Sequence, residues 1–229
     1  MNASDGLMDS GRWDEALGLI LEAQPTARGT SRLYATRQLA QLLALRGDFD
    51  GASRALDEIS RTFREGVEAQ FNGPIAVTRL ELAAQTADIA NGRHIADQAL
   101  AVLAQTEDRV VRSDVLRAAL QLEASAAELT KASRYAVGER DAIRRGTAHL
   151  AAVRLLGEGL KPNPRTDRVR QAIAFAEAEF TRFATSDAAR WRAALATTAA
   201  HGPAYDTAYA TYRLAESLLA NRANRDEAG

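Results

Sequence analysis

Apolar residues recur along this chain at three- and four-residue steps, and short polar turns cut the runs. Ala52, Ala55, Leu56, Ile59 and Phe63 stand at i, i+3, i+4, i+7 and i+11, the stripe of one buried helix face. Val111, Val115, Ala118, Leu122, Ala126 and Leu129 keep a near-heptad period and predict a long helix from Asp108 to Thr130. Val169, Ile173, Ala176, Phe180 and Phe183 mark another, from Thr166 to Ala184. The pattern also predicts a helix ending at Ala23, before Pro25, and one from Thr30 or Ser31, as its cap, to Arg46. Gly66, Asn72, Gly73 and Pro74 read as a connection. A helix from Ile75 to Ala90 follows, with Ala76, Leu80, Ala83 and Ala87 on one face. Further helices end at Ala104, span Gly138 to Leu156, run from a Thr185-Ser186-Asp187 cap to Ala200, and run from Ala204 to Ala220.

The turns between these helices share a form. Gly47-Asp48-Phe49-Asp50-Gly51-Ala52 offers a glycine for φ > 0, an acid to cap the next helix, and a small residue for close approach. Gly11-Arg12-Trp13-Asp14-Glu15-Ala16 repeats it, and Asn91-Gly92 is a weaker third marker. Gly11, Gly47 and Gly92 are spaced by 36 and 45 residues, longer than the ~34 of a tetratricopeptide unit. Only ten residues precede Gly11, so no partner helix is expected there. Asn221 to Gly229 reads as one more turn opening a further helix. Both ends thus look like cuts within repeats. The clearest internal break is Gly157 to Pro164, with two glycines and two prolines.

Composition agrees with an all-α chain. Of 229 residues 46% are apolar, chiefly alanine and leucine, and only 6% are aromatic. A net charge of -1 gives no basic field for nucleic acid. All but Lys131 and Lys161 of the 29 basic residues are arginine. No cysteine is present, so disulfides, thiolate metal sites and cysteine nucleophiles are excluded. The N-terminus has an early acid and no apolar core, and Leu17 to Leu21 is far short of the ~20 residues a bilayer needs. A cytoplasmic location with no membrane contact is expected.

Trp191-Arg192-Ala193-Ala194, Gly202-Pro203-Ala204-Tyr205, Ala208-Tyr209-Ala210 and Arg213-Leu214-Ala215-Glu216-Ser217-Leu218-Leu219 carry a resemblance. Together they resemble a recurring stretch of large actinobacterial LuxR-type regulators, specific over about residues 185 to 228. In the family a tryptophan helix leads to a Gly-Arg-Pro-Tyr turn and an Arg-x-Ala-Glu-Ala-Leu-Leu helix. Here Pro203 follows the glycine directly, and Thr198 stands where a second aromatic is usual. The resemblance implies the late part of a tetratricopeptide-like region between a nucleotide-binding ATPase and a helix-turn-helix. No Gly-x-x-x-x-Gly-Lys-Ser/Thr phosphate loop occurs in this chain. DNA contact would come only through a helix-turn-helix outside it.

Candidate chemistry is sparse. His94, His149 and His201 are far apart and read as surface or turn residues, so no metal or cofactor is expected. Glu177 and Glu179 read as a solvated face. The Arg140, Arg144, Arg145 and Arg165, Arg168, Arg170 groups are interleaved with acids and read as locally neutralised. Tyr205, Tyr209 and Tyr212 at i, i+4, i+7 read as core. The expected fold is an array of roughly five antiparallel hairpins, an α-solenoid whose first helices line a concave face. The array is read as one domain over 1–229, with 157–165 as a possible sub-boundary. Aligning the turns puts Tyr34, Arg37, Gln41, Arg79 and Arg213 on the concave face. The expected function is a non-catalytic regulatory module binding a protein or small-molecule effector, with a homo-oligomer left open. The alternative is a stand-alone adaptor holding a peptide in its groove.

Overall fold

The turn at Gly47 forms as its residues dictate, and it sets the pattern for the molecule. The computed structural model describes residues 3–62, 69–198 and 202–227, with side chains for all of these except 69, 70 and 221–227. Gly47 takes φ 82°, and the Asp48 N–H donates back to Leu43 O at 2.9 Å, closing the preceding helix. Asp48 Oδ1 accepts the Gly51 N–H at 2.9 Å, so Asp48 rather than Asp50 is the cap. Ala52 is fully buried at the contact between the two helices.

Among the described residues there are eleven helices and no strand. They are α1 Ala3–Asp9, α2 Trp13–Ala23, α3 Gly29–Leu45, α4 Phe49–Thr62, α5 Ala69–Gln85, α6 Ile89–Leu103, α7 Arg109–Ala132, α8 Ala136–Leu156, α9 Pro164–Thr181, α10 Ala188–Thr198 and α11 Ala204–Glu227. The chain divides into two compact units, Met1–Val115 and Leu116–Gly229. The 157–165 loop lies inside the second.

The same turn recurs three more times. Gly11, Ala87 and Arg134 also sit at positive φ, at 77°, 59° and 57°. The N–H of the next residue in each donates five residues back: Arg12 to Leu7 O at 2.8 Å, Asp88 to Ala83 O at 2.9 Å and Tyr135 to Thr130 O at 2.8 Å. The third turn therefore falls at Ala87, five residues before the Asn91-Gly92 position expected from sequence. Gly92 is buried inside α6, where it takes the small-residue place that Ala16 and Ala52 hold after their turns. Glycine marked the wrong half of the motif because alanine occupies the left-handed position.

In the first unit α1 packs on α2, α3 on α4, and α5 on α6, with α3 also against α5. Short tight turns make the members of each pair antiparallel. α1 is a helix where the sequence predicted none; Met8 anchors it in an apolar cluster with Ala16, Ile20 and Leu42, joined by Trp13. The Trp13 indole N–H donates to Met8 O at 3.2 Å. Leu33, Ala40, Leu56, Ile59 and Ile75 form the next cluster. α3 opens at Gly29 without a side-chain cap, so Thr30 and Ser31 have no capping role. Asn72, Gly73 and Pro74 lie inside α5, not in a connection. A Cβ on Gly73 would stand 1.9 Å from Val111 Cγ1, so this glycine serves close packing rather than a turn. Gly66 and Phe63 fall outside the described residues.

In the second unit α9 packs on α8 and α10, and α10 on α11. Asn163 caps α9 through a reciprocal box with Thr166, and Pro164 takes the first helical position. Asp187 caps α10, its Oδ1 accepting the Ala189 N–H at 2.7 Å. Trp191, Phe175, Ala178, Ala194 and Ala210 form one apolar cluster of its core. α11 runs on through Asn221 to Glu227, where the sequence predicted a turn. No glycine or proline lies between Ala220 and Glu227 to stop it. His201, Ala199 and Ala200 fall outside the described residues.

Candidate functional site

Tyr34, Arg37, Gln38 and Gln41 stand at i, i+3, i+4 and i+7, one face of α3, and the fold turns that face toward α1. Asp5 of α1 receives three of these side chains. The Tyr34 hydroxyl donates to Asp5 Oδ2, Gln38 Nε2 donates to Oδ1 at 2.7 Å, and Arg37 Nη2 reaches Oδ1 at 3.5 Å. Arg37 also donates to Gln41 Oε1 at 3.0 Å, and its guanidinium lies over the Tyr34 ring at 4.9 Å. Ser4 Oγ donates to Gln38 Oε1 at 3.0 Å. Burial pushes the Tyr34 phenol above its ordinary value, and the neighbouring Asp5 adds to the rise. The Tyr34 ring meets Phe71 of α5 edge-on at 6.5 Å.

A cavity of about 500 Å³ opens beside this cluster. Ala3 and Ser4 of α1, Leu19, Ile20 and Ala23 of α2, and Tyr34, Ala35 and Gln38 of α3 border it. Its walls are mainly apolar, with the polar cluster at one edge.

Arg79 of α5 lies apart from the Asp5 cluster. Its Nη2 donates to Leu56 O at 3.1 Å and Ser60 Oγ at 2.5 Å on α4. Burial lowers its guanidinium pKa, and the charge of Asp57 opposes this. Tyr34, Arg37 and Gln41 are thus brought together, Arg79 stands on the α4–α5 seam, and Arg213 belongs to the second unit.

Around Arg213 the second unit holds a buried ionic network. Arg213 Nε donates to Tyr209 Oη at 3.1 Å, and Tyr209 donates to Glu179 Oε1 at 2.6 Å. Arg182 Nη1 donates to Glu179 Oε2 at 2.5 Å, and its Nη2 to Glu128 Oε2 at 2.6 Å. Burial alone would raise the Glu128 carboxyl, but the hydrogen bonds and charge of Arg182 outweigh it and hold it below its usual range. Burial and the Glu179 charge push the Tyr209 phenol up. Nearby, Arg117 grips Asp206 with both Nη atoms, at 3.0 and 2.5 Å, and lies over the Phe175 ring.

Glu179 corrects an expectation: it is buried between Arg182 and Tyr209, whereas Glu177 pairs with Arg154 and Arg190 at the surface. Glu179 and Arg182 stand at i, i+3, a spacing the exposed Asp141–Arg144 and Asp167–Arg170 pairs share, so it does not mark burial in the sequence. His149 is likewise buried in α8, not at a surface or turn. Tyr209 packs edge-on against Trp191 as a core residue should, but Tyr212 is exposed. Arg144 pairs with Asp141 and Arg170 with Asp167, one helical turn apart. Asp5 and Gln38 escaped notice because α1 was not expected.

Among the described residues no group of three His, Asp or Glu side chains is placed to hold a metal ion. Nor is any helix among them long and apolar enough to cross a membrane. No protein-family model, curated protein or solved structure matches the chain.

Proposed function

We propose that this chain is a non-catalytic regulatory and interaction module of the cytoplasm, a tetratricopeptide-like array of hairpins from a large LuxR-type transcriptional regulator. The observation that carries the reading is the recurrence of one turn geometry at Gly11, Gly47, Ala87 and Arg134. Units that repeat a turn of this kind bury their faces on neighbours and leave an extended binding surface. The polar face of α3, where Tyr34 and Arg37 meet Asp5 of α1 and Gln41 holds Arg37, is the surface at which a partner or effector acts. Binding there shifts contacts between hairpins and so biases a two-state assembly.

The LuxR-type assignment rests on the Trp191 to Leu219 stretch. Its signature residues hold packing places: Trp191 is fully buried, Leu214 packs on the same core, and Arg213 pairs with Glu216 at 2.8 Å. Reading the coding frame on both sides of this segment tests the assignment. A phosphate loop upstream and a helix-turn-helix downstream are expected. A frame lacking both leaves the stand-alone peptide adaptor, which the carboxylate-gripping face of α3 favours.

A further inference from the structure

The grip on Asp5 is built largely without Asp5. Arg37 is held by Gln41 and by the Tyr34 ring, all on α3, whereas Gln38 is held in part by Ser4 of α1. One guanidinium and two neutral donors converging on two oxygens is the composition of a carboxylate-recognition site. The carboxylate now there comes from α1, and α1 fills its groove incompletely. The cavity of about 500 Å³ lies along its edge, where Ala3 and Ser4 face Leu19, Ile20, Ala23 and Ala35. The apolar hold of α1 comes chiefly from Met8, with Leu7 packed beside it.

We infer that the Tyr34–Arg37–Gln38 face is a docking groove for an acidic amphipathic helix of a partner protein, and that α1 occupies it with Asp5 in place of the partner's carboxylate. This rests on the interaction-module reading and names the chemistry of the partner. The incoming helix carries Asp or Glu at the place of Asp5. Two residues earlier, at the place of Ala3, it carries a large apolar side chain that fills the cavity. Three residues after the acid it carries Leu or Met, at the place of Met8. The polar bonds are exchanged one for one, so the extra apolar area favours the partner. Against it stands the high effective concentration of α1, which keeps the groove closed to weaker ligands.

The test is a fluorescence-anisotropy titration of the full chain with a labelled helical peptide centred on Leu-Ser-Asp-Ala-Leu-Met, and with its Asp-to-Asn counterpart. Weak binding to the unaltered chain is expected. Asp5→Asn weakens the internal competitor, and binding should tighten by about tenfold. Met8→Ala loosens α1 without touching the polar donors and should tighten binding too. Arg37→Gln, added to Asp5→Asn, should remove the gain, and the Asn peptide should show none. No tightening in either variant would overturn the inference, as would tightening indifferent to Arg37 or to the peptide carboxylate. Loss of helical circular dichroism in both variants would overturn it as well, since a displaceable helix is not needed for the fold. The coding-frame test is independent of this titration, so either can fail while the other stands.

Discussion

Arg182 lies between two carboxylates with a side chain only 2% exposed, and Glu179 beside it is 1% exposed. Charges this deep cost several kcal/mol each to desolvate and are tolerated only while paired. Arg182→Ala removes the cation and strands Glu179 with Tyr209 as its remaining donor. A loss of about 3–5 kcal/mol is expected in urea unfolding. Glu216→Ala deletes a half-exposed partner of Arg213 and should cost under about 1 kcal/mol. At the backbone, Ala87 at φ 59° and Arg134 at φ 57° carry strain that glycine would relieve. Ala87→Gly and Arg134→Gly should each raise stability by about 1 kcal/mol in thermal unfolding, and a fall in both would show that the turns are not strained. Neither feature stands out in sequence. An acid on a helix looks the same whether it faces solvent or a buried arginine, and alanine gives no sign of a left-handed backbone.

Helices were legible where a long apolar stripe ran between clear stops. α7, α8 and α9 fall within a few residues of their expected bounds, and Gly11 and Gly47 take positive φ as their residues predict, although an acid caps the following helix only at Gly47. Two of the failures share one cause, the double use of glycine. Gly73 with Pro74 resembles a connection, yet Gly73 permits α5 to approach Val111, and Gly92 is buried inside α6. Gly146 does the same in the second unit, where a Cβ would stand 2.3 Å from the Phe183 ring. Glycines of the two kinds should respond oppositely to alanine. Gly146→Ala forces Phe183 aside and should cost about 1–3 kcal/mol. Gly18, inside α2 with nothing within 4 Å of its would-be Cβ, should gain about 0.5–1 kcal/mol as alanine. Denaturant midpoints of the two variants check the signs, and equal shifts would show that packing does not distinguish them.

Over the whole chain, 29 basic and 30 acidic residues nearly cancel, so no single field governs stability. Composition made the fold class legible, whereas the cluster of Asp5 with Tyr34, Arg37 and Gln38 depended on α1, whose apolar residues are too few to show a period. The pH response comes from particular groups. Glu128 in the second unit is held below its ordinary value, so its contribution is present above about pH 4.3 and is lost as pH falls through its lower folded value. Tyr34 and Tyr209, one in each unit, are held above theirs. Their contribution is complete below about pH 10 and declines as pH rises through the raised values. Stability should thus fall at both ends of the pH range. Trp191, fully buried in the core of the second unit, reports that unit once Trp13 is replaced by Phe. In that background Glu128→Gln should lower the urea midpoint near neutrality and flatten the acid limb. Tyr209→Phe should leave the acid limb steep and flatten the alkaline one. An alkaline limb unchanged by Tyr209→Phe would mean that burial beside the Glu179 charge does not hold the phenol above its ordinary value.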